Sequence, residues 1–176
     1  IDNNSTDGSG KGVLEWKKRH LKIKMHLASL PSNVGFSKAN NLGMSLSHSD
    51  TLLFLNSDTQ IIGCAIGETF DFYKSQNCAA VTCKLTLPSG ALDPACHRGF
   101  PTPWAALCYF SGLEKMFSKS TLFSSYHMGG KDLSTTHIID CPSGAFFMIK
   151  KSDFKACGGF DEEYFIKIYR EIKEAN

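Results

Sequence analysis

The run Thr51-Leu52-Leu53-Phe54-Leu55 breaks off abruptly at Asn56-Ser57-Asp58-Thr59. An apolar run this short reads as a strand, and unbroken apolarity is expected of a strand covered on both faces. Such a strand needs a layer on either side of its sheet, so it constrains the fold more than any other feature. The neighbouring segments supply those layers. Residues 13–21 read as a helix with Lys17, Lys18 and Arg19 on its wet face, and residues 35–47 and 61–75 read as two more. Residues 22–27 alternate Lys22 and Lys24 with Ile23 and Met25, the period of a half-buried strand, and residues 79–87 (AAVTCKLTL) form another. Ile1-Asp2 reads as the end of a strand cut just upstream. Strand and helix then alternate with short connections, which predicts a three-layer α/β domain with a mostly parallel central sheet.

The second half is less regular. Pro88-Ser89-Gly90 is a turn, and residues 91–135 carry Pro94, Pro101 and Pro103 with a short helix near 112–117. Residues 137–140 and 145–150 read as strands separated by Pro142-Ser143-Gly144. Ser152 suits an N-cap, Gly158-Gly159 suits a helix stop, and Phe160 onward reads as helix. At 176 residues the chain suits one domain, 1–176, with 1–90 and 91–176 as its two halves. A formal charge of +2 is too small to argue for nucleic acid or an anionic membrane surface. The 7 cysteines are odd in number and form no CxxC pair, so neither a zinc site nor a disulfide framework is indicated. Cys64 and Cys83 read as reduced core residues of a cytosolic protein. No apolar run reaches the length of a membrane span, and no signal peptide is present. With Ile1 in place of an initiator Met, the chain is expected to be a fragment of a longer protein.

Polar bursts at strand ends are where an α/β sheet binds its ligands. The first burst runs from Asp2 to Ser9 and the second from Asn56 to Thr59. In a parallel sheet both face one crevice, with Asp2 and Asp58 pointing into it. Asn3, Ser5, Asp7 and Gly8 fit the opening of a calcium loop, but its closing Glu falls on Leu14, which excludes that reading. Asn4-Ser5-Thr6 is formally a glycosylation sequon, with nothing beside it that points to secretion. A plain Asx/Gly turn competes with a ligand-binding loop here. For Asp58 the competing readings are an N-cap for the helix near Ile61 and a ligand to Mg²⁺ or Mn²⁺. One carboxylate suffices for the metal where a substrate diphosphate supplies further oxygens.

DNNSTDGS, PSNVGFSKANNLG, LLFLNSDT and PSGAFFMIKKSDFKACGGFDEEYF follow one another over nearly the whole chain. In that order they resemble the rhamnosyltransferase-like branch of the family-2 glycosyltransferases. The resemblance implies the Rossmann-like GT-A fold, a nucleotide-diphosphate sugar donor, transfer with inversion, and a divalent metal (Mg²⁺ or Mn²⁺) as cofactor. By position, Asp2 matches the acidic residue that recognises base and ribose, with Asn4 and Ser5 in the same donor loop. Asn33 and Gly35 match the second nucleotide-contacting turn, and Asn40 opens the helix face beside it. Asn56-Ser57-Asp58 matches the DxD-type motif, with Asp58 as metal ligand and Asn56 beside the donor. Ser143-Gly144-Ala145 and Gly159-Phe160-Asp161-Glu162 match the acceptor-side motifs.

The resemblance breaks at the general base. Family members follow FDExYF, after three residues, with a Glu-Asp pair; here Ile166-Lys167-Ile168 is followed by Tyr169-Arg170, and Glu171 lies one residue late. One residue turns a helical side chain by about 100°, so Glu171 is no direct substitute. Asp161 and Glu162 are the nearest other carboxylates and become the catalytic candidates. Two functional classes follow: an active glycosyltransferase, and an inactive fragment that at most binds nucleotide. A third class, a dehydrogenase-like module, is poorly supported because no GxGxxG follows any strand. The branch resemblance favours rhamnose, delivered to a polysaccharide or a lipid-linked glycan. Such acceptors place the enzyme in the cytoplasm at the inner face of a membrane.

Overall fold

The computed structural model describes residues 1–163 except Asn77 and Leu133. It divides the chain into two compact units, Ile1–Leu52 with Lys151–Asn176, and Leu53–Lys150. Phe160 onward was expected to be helical; beyond Glu163 that segment lies outside the described residues, as do Ile166 to Glu171.

The first unit is built on helices. α1 (Ser9–Arg19) starts four residues earlier than its sequence pattern indicates and buries none of its residues. α2 (Phe36–Leu46) buries Ala39, and α6 (Lys151–Ala156) buries Phe154. Phe160 packs edge-on against both Phe36 and Phe154, with ring centroids 5.4 and 5.0 Å apart. The Lys151 ammonium donates to the Ser47 carbonyl at the C-terminus of α2, where a cation meets the negative end of the helix dipole. Ser152 is not a cap: it lies inside α6, and its hydroxyl meets the Asp153 carboxylate. The glycine stop holds. Gly158 and Gly159 both take φ near +80°, and their N–H groups return to the carbonyls of Lys155 and Phe154.

The second unit carries the sheets. β1 (Thr51–Leu55), which enters it from the first unit, belongs to a three-stranded sheet with β2 (Ala80–Val81) and β5 (Phe146–Lys150), in the order β1-β5-β2. β2 pairs antiparallel with β5, Ala80 facing Ile149 and Val81 facing Met148. The Asn56 N–H donates to the Ala145 carbonyl, and the Lys151 N–H to that of Asp50. These two bonds bracket β1 and β5 and make that pair antiparallel as well. β3 (His97–Arg98) and β4 (Cys141–Pro142) form a second antiparallel pair. The remaining helices of this unit are α3 (Ala65–Ser75), α4 (Pro103–Phe110) and α5 (Leu113–Met116), with a single 3-10 turn at Pro94–Cys96.

The expected parallel central sheet is therefore not present among the described residues. Among the described residues a parallel contact is made by an isolated bridge between Asp2 and Ser29. Residues 22–27 have the alternation of a strand but form no ladder, because alternation records which side chains are half-buried and not whether a partner backbone lies alongside. Residues 79–87 shorten to Ala80–Val81 for a local reason. The Thr82 hydroxyl, at 2.6 Å, takes the Phe146 carbonyl as its acceptor, a side chain occupying a group that a longer strand would pair through its backbone. β1 buries Leu52 and Phe54 on one face and packs Leu53 of the other face against the core residues Phe146 and Met148, leaving only its last residue, Leu55, exposed. Residues 137–140 are not a strand; pairing begins at Cys141.

Phe146 and Met148 on β5 and Tyr73 on α3 form the second unit's core, joined by Leu53, Val81, Cys83 and Leu85. The cysteines are all free. Cys83 is half-buried, and its thiol pKa is raised by desolvation. Cys64 is exposed rather than in the core, because it stands at the N-terminal edge of α3 beside the exposed Ile62. No described helix is long and apolar enough to cross a membrane.

Phe146 is 1% exposed, so Phe146→Ala is expected to lower unfolding stability by about 3–5 kcal/mol. Phe110→Ala, at a residue 84% exposed, is expected to change it by no more than about 0.5 kcal/mol. Urea midpoints of the two variants check the contrast.

Candidate functional site

The Asn56-Ser57-Asp58 turn is built by the end of β1. Asn56 keeps its N–H on the Ala145 carbonyl at 3.1 Å, so the chain stays in the ladder up to that residue. It then reverses. The Asn56 carbonyl accepts from the Thr59 N–H at 3.3 Å and from the Thr59 hydroxyl at 2.6 Å. This doubly stapled turn presents Asp58 to solvent, with no hydrogen-bond or ion-pair partner for its carboxylate among the described residues. The helix-cap reading of Asp58 fails on distance along the chain: α3 begins at Ala65, and its N-cap position is Cys64.

Ala145 ties a second motif to the first. Its N–H donates to the Ser143 hydroxyl at 3.2 Å, forming a local turn over Ser143-Gly144-Ala145, while its carbonyl receives Asn56. Two motifs far apart in the sequence thus share one backbone hydrogen bond. Asn56, Asp58, Ser143, Gly144 and Ala145 all lie in the second unit.

The remaining candidates belong to the first unit. Asp2 sits in the one parallel bridge, its N–H on the Ala28 carbonyl and its carbonyl accepting from the Leu30 N–H, both at 2.9 Å. Its carboxylate accepts from Ser5, whose hydroxyl and backbone N–H together hold the Asp2 pKa below the ordinary carboxylate value. A Cβ placed on Gly10 would lie 2.5 Å from Asp2 Oδ2, so the carboxyl group packs closely over the bare backbone at the first turn of α1.

Asn4 takes φ 68° and is exposed. Its neighbour Asn3 makes the contacts instead. Asn3 Nδ2 donates to Asn33 Oδ1 at 2.9 Å and to the Gly35 carbonyl at 3.3 Å, and Asn3 Oδ1 accepts from the Val34 N–H. Asn33 Oδ1 also accepts from the Gly35 N–H, so Asn3, Asn33 and Gly35 form one network. Gly35 combines φ 87° with ψ 168°, a conformation essentially reserved for glycine, at the entry to α2.

The second asparagine pair behaves the same way. Asn40 donates back to the Phe36 carbonyl within its own helix. Asn41 instead bridges to the chain near Phe160: its Nδ2 donates to the Phe160 carbonyl and to Glu162 Oε1, both at 2.9 Å, and its Oδ1 accepts from the Phe160 N–H. Asp161 Oδ1 accepts from the Glu163 N–H, the role of a local cap. Sequence reading therefore missed Asn3, Asn41 and Gly10. The doubled asparagines were visible, but which member of each pair turns inward depends on backbone angles that composition does not record.

Among the described residues no group of three or more His, Cys, Asp or Glu side chains could hold a metal ion. Asp58 supplies one free carboxylate. That fits a hard divalent ion whose remaining positions are taken by phosphate oxygens and water, and does not fit an all-protein metal cage.

Asp2 should titrate with a midpoint below the ordinary carboxylate value, and Ser5→Ala should raise that midpoint, as followed by the carboxyl carbon shift in NMR. Because the folded pKa is the lower one, the stabilising contribution is present above the unfolded value and is lost as pH falls through the folded value.

The family model described as glycosyl transferase family 2 matches residues 1–158. No curated protein and no solved structure matches the chain. Membership of that family implies a GT-A α/β fold, a nucleotide-sugar donor and an acceptor. The match covers most of the chain, including Asp2, Asn33, Asn56-Ser57-Asp58 and Ser143-Gly144-Ala145, and the chain belongs to glycosyl transferase family 2.

Proposed function

We propose that this chain carries the catalytic domain of an inverting, metal-dependent glycosyltransferase that uses a nucleotide-diphosphate sugar. The observation that carries the proposal is the turn after β1, which leaves the Asp58 carboxylate exposed and unpaired. Asp58 would hold Mg²⁺ or Mn²⁺ against the donor diphosphate, with Asn56 beside it. Such an ion, held there, would supply positive charge to offset charge gathering on the leaving group.

In the transfer, the acceptor oxygen forms a bond to the anomeric carbon on the face opposite the diphosphate. The carbon–oxygen bond to the diphosphate breaks and its electron pair leaves with the phosphate oxygen. The hydroxyl proton passes to a carboxylate, for which Asp161 and Glu162 are the candidates. Asp2, Asn4, Ser5, Asn33, Gly35 and Asn40 are assigned to the base and ribose side of the donor. Within that group the Asn3–Asn33–Gly35 network positions the second turn. Ser143, Gly144 and Ala145 are assigned to the acceptor side. The resemblance to the rhamnosyltransferase-like branch favours a deoxysugar such as rhamnose and a polysaccharide or lipid-linked glycan as acceptor, met at the cytoplasmic face of a membrane.

The test is titration calorimetry of nucleotide-diphosphate sugars with and without Mn²⁺. Metal should tighten binding to the wild type, and Asp58→Ala should abolish that gain, weakening binding at least about tenfold while unfolding stability stays within about 0.5 kcal/mol. Metal-dependent binding that survives Asp58→Ala would remove Asp58 from the site.

A further inference from the structure

The β3–β4 pair has little backbone bonding to hold it. His97 stands opposite Pro142 and Arg98 opposite Cys141, and Pro142 has no N–H to give the ladder. Side-chain burial does what so short a ladder cannot, and the buried side chain is an imidazole: His97 is 7% exposed. Three segments close around it. Residues 124–127 lie flush against the strand, since the Gly99 N–H donates to the Tyr126 carbonyl at 2.9 Å and a Cβ on Gly99 would collide with the Ser125 carbonyl. The His137 ring meets His97 edge-on, with centroids 6.1 Å apart. Cys96 Sγ lies 3.6 Å from His97 Nδ1.

The three imidazoles differ in what a proton would meet. His127 Nδ1 lies 2.9 Å from Glu114 Oε1, so a charge on His127 has a buried carboxylate opposite it. His137 Nδ1 lies 2.9 Å from the Thr135 carbonyl, and Asp132 attracts a charge on that ring. His137 Nε2 is buried with no hydrogen-bond partner among the described residues. His97 has no such counter-charge: among the described residues no carboxylate forms an ion pair with it.

The acids on the surrounding segments are spent elsewhere. Glu114 Oε1 also accepts from the Ser124 hydroxyl and the His127 N–H, Asp140 Oδ2 from the Phe100 N–H, and Asp93 Oδ1 from the Ala95 N–H. Arg98, the next residue along the strand, donates to the Tyr126 hydroxyl and adds a positive charge of its own. Burial first, then His137 and His127, lower the His97 pKa below the ordinary value, against a weaker opposing bond to the His127 backbone. Because the folded value is the lower one, the stability gained by burying neutral His97 is complete above the unfolded value. It is lost as pH falls through the folded value.

β4 runs directly into Ser143-Gly144-Ala145, whose last carbonyl receives the Asn56 N–H. We propose that His97 is a proton-operated latch on this turn. Neutral, it stays buried, holds β3 to β4 and keeps the Ser143-Gly144-Ala145 turn ordered; protonated, it leaves its site and frees the turn. The latch does not depend on Asp58 or on donor binding, and only the description of the turn as acceptor-side rests on the proposed function.

The test is NMR of the full chain from about pH 8 to about pH 5, the span over which histidine charges. It follows the His97 ring, the Gly99 and Ala145 amides, and the Ala39 amide of the first unit as reference. His97 should titrate below the ordinary histidine value. The Gly99 and Ala145 signals should weaken with the same midpoint while Ala39 holds. His97→Gln, neutral throughout, should remove that response. His137→Gln takes away a facing charge and should raise the His97 midpoint, with the two amides following it. The proposal is overturned if His97 titrates at or above the ordinary value, if the amides ignore its titration, or if their response survives His97→Gln. Loss of Ala39 at the same midpoint would assign the response to global unfolding and overturn it too. Should His97→Gln fail to fold, an amide midpoint that stays put while His137→Gln shifts His97 overturns the latch on its own.

Discussion

The backbone bond from Asn56 to Ala145 does two jobs that elsewhere fall to separate contacts. It closes one end of the β1–β5 pair, and it holds the turn bearing Asp58 against the turn formed by Ser143-Gly144-Ala145. β5 is also the strand that carries Phe146 and Met148 into the core of the second unit. Burial of those side chains fixes where β5 lies, the ladder fixes β1 against it, and the ladder's end fixes Asn56. A hydrogen bond of this kind contributes only about 0.5–1.5 kcal/mol on its own. Its leverage comes from geometry, since what it orients is the entry to a tight turn and not a freely moving loop.

The carboxylates divide by how local hydrogen bonding treats them. Asp2, Asp7 and Asp132 each accept from a serine two or three residues downstream, and each is held below the ordinary carboxylate pKa by that serine's hydroxyl and backbone N–H. Those acceptors are already satisfied by their own turns. Asp58 collects no such donors because its turn is closed instead by Thr59, which spends both its hydroxyl and its N–H on the Asn56 carbonyl. Choosing the backbone carbonyl over the neighbouring carboxylate as the acceptor leaves the Asp58 oxygens open. The arrangement suits a group that must meet a cation supplied from outside the protein.

What the sequence makes legible is whatever a few adjacent residues decide. The run Thr51–Leu55 forms β1 at the expected bounds, Pro88-Ser89-Gly90 turns the chain, and Gly158-Gly159 stops α6. α4 is written just as locally, with Thr102 and Pro103 at its start, yet clustered prolines made its neighbourhood read as irregular. Strand partnership was not legible. The apolar period of residues 22–27 and 79–87 is genuine, but nothing within those segments states which backbone lies alongside or in which direction. At the site the motif positions were legible, while the inward-turning member of each asparagine pair was not. Asn4 lies in the left-handed region and Asn40 bonds within its own helix, which leaves Asn3 and Asn41 to make the long-range contacts.

A lone carboxylate at the end of β1 also constrains the energetics of the proposed chemistry. With no second acid, His or Cys gathered around it among the described residues, Asp58 alone makes a weak site for a divalent ion. Diphosphate oxygens would complete the coordination, so ion and donor would bind as a linked pair, each raising the other's affinity by the same factor. On the proposed function the protein would invest little in holding metal in the absence of substrate and would concentrate the interaction where the leaving group gathers charge. One exposed aspartate would then be enough, provided its turn is held by Thr59 and the β1–β5 ladder.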